Sequence, residues 1–170
     1  LDRAGTTFMA DEATYRQYLR AEQSRLEREN REAARSAPVD TGNKELDEAI
    51  EEGRSYIRRI NEANDAIPGA DVSRKLDEIE DVSIRIFAVV EHHPEKLPEI
   101  RRFMNYYLPT TLKLVDAYRE FDRQPVQGET LANAKREIEE TLDTIVLAFR
   151  NLLDSLYEKD AMDVSADISV

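Results

Sequence analysis

NKELDEAIEEGRSYIRRINEANDAIPGADVSRKLDEIEDVSIRIFAVVEHH, from Asn43 to His93, decides the fold. In its first half Leu46, Ile50, Gly53, Ile57, Ile60, Asn64 and Ile67 recur at alternating spacings of four and three. That is the seam of a helix that packs lengthwise on another helix. In its second half Val72, Leu76, Ile79, Ser83, Ile86, Val90 and His93 repeat the same spacing. Pro68-Gly69-Ala70-Asp71 interrupts the two seams with residues that turn the chain. Matched seams joined by a short turn predict an antiparallel helical hairpin.

On the C-terminal side, Pro94 and Pro98 flank one turn, and Pro98 suits the first turn of a third helix. That helix carries Leu97, Ile100, Met104, Tyr107, Leu114, Tyr118 and Phe121 as its apolar seam. Pro109 lies inside it and cannot donate to the Asn105 carbonyl, so a kink is expected there. Gln124-Pro125-Val126-Gln127-Gly128 is the next loop. A last helix over about 129–159 carries Leu131, Ile138, Leu142, Ile145, Phe149, Leu152 and Leu156. The tail 161–170 alternates loosely and is expected to be irregular or extended.

On the N-terminal side, residues 10–36 read as one charged helix with Glu12–Arg16 and Glu27–Arg31 as favourable pairs four apart. Its apolar stripe, Tyr15, Leu19, Leu26 and Ala33, is thin. A helix polar almost all round is an arm or spacer rather than a core member. The expected fold is therefore all-α: an antiparallel up-down four-helix bundle over 43–160, preceded by a charged helical arm and hinge over 1–42.

The chain has 170 residues, a formal net charge of −12, no Cys and no Trp. Residues 1–39 are neutral, with seven Arg and seven acids, whereas 40–94 hold fourteen acids against seven bases and 124–170 ten against four. Residues 95–123 are slightly basic, with six bases against five acids. An acidic bundle repels phosphate backbones, which argues against nucleic-acid binding. Without Cys there is no disulfide, thiol nucleophile or Cys-ligated zinc. The longest apolar runs, Ile86–Val90 and Ile145–Phe149, span five residues each, too short to cross a membrane.

Few residues suggest chemistry. His92 and His93 end a helix, where packing or capping is the plainer reading and a metal or catalytic role the alternative. Asp160, Asp163 and Asp167 form one loose acid cluster that could hold Mg²⁺ or Ca²⁺ weakly or simply be solvated. No phosphate-binding Gly-rich loop and no Gly-x-Ser-x-Gly elbow occurs. No catalytic, cofactor or metal set is assigned. Arg101, Arg102, Asn105, Tyr106, Tyr107, Pro109 and Thr110 cluster at the expected kink, and Tyr and Arg are favoured at interfaces. The competing reading packs Tyr107 in the core and leaves the two arginines solvated.

The stretch Ile100–Tyr118, with Phe103, the Tyr106-Tyr107-Leu108-Pro109-Thr110-Thr111 block, Leu114 and Tyr118, resembles the XpaC family, the 5-bromo-4-chloroindolyl phosphate hydrolysis proteins of bacteria. Gly53 with Ile57-Arg58-Arg59-Ile60-Asn61, the helix from Glu137 to Phe149, and the tail extend the resemblance over about 43–170. It implies a membrane segment upstream of Leu1, a place on the cytoplasmic side, and TelA-like partners linked to toxic-anion (tellurite) resistance. It carries no catalytic residues over. The expected function is that of a helical interaction domain. The alternatives are a phosphatase acting on small phosphate esters and a self-associating coiled-coil scaffold.

Overall fold

The computed structural model describes residues 2–169, with side chains at 12–30, 37–158 and 160–169. Its elements are α1 (Asp2–Ser36), α2 (Lys44–Asp65), α3 (Ala70–His92), a 3₁₀ turn (Pro94–Lys96), α4 (Leu97–Arg102), a π turn (Phe103–Tyr107), α5 (Leu108–Asp122) and α6 (Glu129–Ser169). All regular structure among the described residues is helical. The chain divides into two compact units at Pro38–Val39.

The first unit is α1. Its described side chains form local ion pairs, Arg16 with Glu12 at 2.8 Å and Arg25 with Glu22 at 2.6 Å, while Tyr15, Tyr18, Leu19 and Leu26 stay exposed. The helix starts earlier than the expected residue 10. Arg31 and Ala33 lie outside the described side chains.

The second unit begins with an Asx-type entry. Gly42 takes a positive φ of 81°, which a side chain would strain, and Asn43 caps α2 by accepting the Leu46 N–H at 3.2 Å. The seams of α2 and α3 are buried as their spacing requires: Leu46, Ile50, Gly53, Ile57, Ile60 and Ile67 on one side, Val72, Leu76, Ile79, Ser83, Ile86 and Val90 on the other. Polar members of the seam find partners. Ser83 donates to the Ile79 carbonyl at 2.6 Å, and Ser73 donates to Asn64 Oδ1 at 2.8 Å across the turn. The α2 helix packs on α3 and α5, and α6 packs on α3 and α5, so each of the four has two neighbours. Ion pairs bridge three of these helix–helix seams: Arg54–Glu91 at 3.6 Å between α2 and α3, Lys75–Asp143 at 3.1 Å between α3 and α6, and Lys135–Asp122 at 2.8 Å between α5 and α6.

The tail and the seam of the third helix depart from the sequence expectations. The tail 161–170, expected to be irregular or extended, continues α6 as helix through Ser169. Val170 lies outside the described residues. The disruption expected from Pro109 takes the form of the π turn immediately before it, which contains Asn105, and the chain stays helical through it into α5. The carbonyl that Pro109 cannot pair lies in that turn, whose wider winding accommodates the missing N–H. The π turn accommodates a seam spacing of four and four, Ile100–Met104–Leu108, which would drift off the core face of an unbroken helix of 3.6 residues per turn. Burial downstream therefore falls on Leu108, Thr111, Leu112, Val115 and Tyr118. Tyr107, Leu114 and Phe121, expected in the seam, are only partly buried.

Candidate functional site

The π turn positions the residues singled out above. The Leu108 N–H reaches back five residues to the Phe103 carbonyl. Thr111, fully buried, donates its hydroxyl to the Tyr107 carbonyl at 2.7 Å and so fixes the exit from the turn. Phe103 points inward, with its ring 4.4 Å from that of Phe149 and 6.4 Å from that of Phe87. Tyr107 is half-buried edge-on to Phe149 at 5.9 Å, and Tyr106 stands edge-on to Tyr107 at 5.2 Å. Five rings thus run from the core to the surface, and the last, Tyr106, is 59% exposed.

The neighbours divide. Arg101 pairs with Glu45 of α2, so it is tied into the helical unit. Arg102 and Asn105 are exposed, and Pro109 and Thr110 are half-buried. This gives a rigidly backed aromatic patch with polar flanks. Such a surface suits recognition of another protein, since large rings lose little rotamer entropy when covered.

The other candidates stay apart. His92 is exposed, and His93 Nδ1 lies 3.3 Å from Glu95 Oε1 at the surface. Asp160, Asp163 and Asp167 are exposed on α6. Among the described residues no group of three or more His, Asp or Glu is placed to hold a metal ion. No described helix is long and apolar enough to cross a membrane.

Two polar features join helices that the sequence keeps far apart. Tyr118 of α5 donates its hydroxyl to Glu139 of α6 at 3.0 Å, with Lys135 Nζ 5.3 Å from its ring. Burial, then the bond to Glu139, push the Tyr118 hydroxyl up to about 12. A groove of about 470 Å³ between α3 and α6 is lined by Glu78, Asp81, Arg85, Arg150, Asp154 and Tyr157 over an apolar floor of Val82 and Leu153. Arg150 pairs with Glu78 across it.

Residues 8–170 match the family described as 5-bromo-4-chloroindolyl phosphate hydrolysis protein. The chain belongs to that family. Neither curated proteins nor solved structures yield a match. The block through which the chain resembles the 5-bromo-4-chloroindolyl phosphate hydrolysis proteins, Tyr106–Thr111, straddles the π turn and the start of α5. The α3–α6 groove was not legible in the sequence of this family member. Its charged residues lie off both apolar seams, about 70 residues apart in the chain, and only helix packing brings them together.

Proposed function

We propose that this member of the family is an interaction protein. Its second unit would act as an antiparallel up-down four-helix bundle behind the charged arm, on the cytoplasmic side of a membrane-associated bacterial protein. Its partners would be helical proteins of the TelA type, linked to toxic-anion (tellurite) resistance. The observation that supports this reading is Tyr106, exposed on a π turn and backed ring by ring to Phe149. Single π turns inside α-helices recur at functional sites, and an aromatic fixed from behind is the kind of residue that dominates interface energies.

The test is binding of a purified TelA-like protein to the full-length, membrane-anchored protein. Tyr106→Ala should weaken the complex by about 1–3 kcal/mol while leaving the helical circular dichroism unchanged. Equal affinity of a folded variant would remove Tyr106 from the interface.

The family description itself favours a second reading, hydrolysis of a phosphate ester. The groove at Arg85, Arg150 and Tyr157 would be the place for an anionic ester, but Glu78, Asp81 and Asp154 line the same groove and Glu78 already pairs with Arg150. Such hydrolysis is very slow uncatalysed and calls for metal ions or clamping cations around a positioned nucleophile. We expect no release of bromochloroindoxyl and phosphate above a buffer control with Mg²⁺, Mn²⁺ or Zn²⁺. Turnover that co-purifies with the protein and disappears in Arg150→Ala, His92→Ala/His93→Ala or Asp160→Ala/Asp163→Ala variants would establish the enzyme instead.

A further inference from the structure

The α6 helix is 41 residues long, against 22 for α2 and 23 for α3. Lys96 Nζ donates to the Leu156 carbonyl, and Leu156 is the last buried one among the described side chains of α6. From Tyr157 on, every described side chain of the helix is exposed. This extension is not uniformly polar. Tyr157, Ala161, Val164 and Ile168 follow one another at spacings of four, three and four, which places them on one face as a second seam. Val164 is 57% and Ile168 79% exposed. The stripe begins at Tyr157, which also lines the α3–α6 groove.

Charges flank that stripe asymmetrically. With Tyr157 and Val164 at d positions and Ala161 and Ile168 at a positions, the e and g positions beside the seam are Glu158, Asp160, Ser165 and Asp167. Three of the four are acidic. In helical pairs the e and g residues select the partner by charge. A second copy of this helix would bring no basic side chain to the e and g positions in either orientation, so it offers these acids no partner. An anionic lipid surface or a nucleic acid is repelled by the same acids. A helix with an apolar seam and Lys or Arg beside it satisfies both the stripe and its flanks.

We propose that residues 157–168 of α6 form a docking surface for a basic amphipathic helix of another protein. The seam supplies apolar burial and the acidic flanks supply specificity and steering. The site is separate from the Tyr106 patch, so each can fail without the other.

The probe is a fluorescently labelled synthetic helix of about three heptads, with Leu and Ile in its seam and Lys at e and g. Its counterpart carries Glu at e and g. Binding to the full chain is read by anisotropy. The basic peptide should bind, more weakly as salt rises, and the acidic one should not. Val164→Asp/Ile168→Asp should reduce the affinity about tenfold or more. Its melting curve should match the parent because both positions lie beyond the buried core, and Tyr106→Ala should leave the binding intact. The double variant adds negative charge, so non-specific attraction would strengthen in it. Capture that persists or grows there would overturn the proposal, as would concentration-dependent dimerisation lost in the same variant, which would assign the stripe to a second copy.

Discussion

Gly53 of α2 meets the ring of Phe87 on α3 so closely that a Cβ added at Gly53 would stand 2.4 Å from Phe87 Cζ. Phe87 is itself buried and lies edge-on to Phe103, so it has no room to swing away. Gly53→Ala gains up to about 1 kcal/mol of helix propensity and incurs an overpacking cost of about 1–3 kcal/mol. The expected net result is a loss of stability in urea unfolding. Phe87→Leu should cost less in the Gly53→Ala background than alone, and additive effects would show that the two side chains do not compete for this space.

Tyr106 and Tyr107 are adjacent in sequence and opposite in burial. Tyr107→Ala removes a half-buried ring from Phe149 and should destabilise by about 1.5–3 kcal/mol. Tyr106→Ala should cost under about 1 kcal/mol, since it loses mainly one exposed ring contact. Thermal unfolding of the two variants side by side checks the order, and a reversed order would displace the π turn from its assigned register.

Tyr118 sets an alkaline limit. Its hydroxyl titrates at about 12 in the folded chain against an ordinary 10.0, so folding favours the protonated form. That contribution is complete below about pH 10 and is lost as pH rises toward about 12. Tyr118→Phe should cost about 0.5–1.5 kcal/mol at neutral pH. The difference between parent and variant should shrink between pH 10 and 12. A constant difference would show that folding does not favour the protonated Tyr118 hydroxyl.

Every core residue from Leu46 to Leu156 lies in the second unit. A chain of residues 39–170 should therefore unfold cooperatively on its own, with a melting temperature within about 5 °C of the parent. Loss of cooperativity on removing 1–38 would place part of the stability in α1.

How much of this was legible in the sequence depends on the range of the interaction involved. The seams of α2 and α3 and a break between them at Pro68-Gly69 follow from residues within one or two turns of each other, where spacing and turn chemistry are local properties; the expected turn ran to Asp71, whereas α3 already begins at Ala70. The sequence by itself thus determined an all-helical chain, most of its core face and its acidic character. It placed Tyr107 in the seam of the third helix, and the tertiary structure moved that role to Leu108. A spacing of four and four is ambiguous in isolation, and only packing of Phe103 between Phe87 and Phe149 makes a π turn the arrangement that fills the core. Pairings such as Arg150 with Glu78, Tyr118 with Glu139 and Lys96 with the Leu156 carbonyl were likewise decided only in the fold. They join residues 21 to 72 positions apart, and which side chains meet at such distances is set by the relative rotation and stagger of packed helices, which local periodicity does not encode.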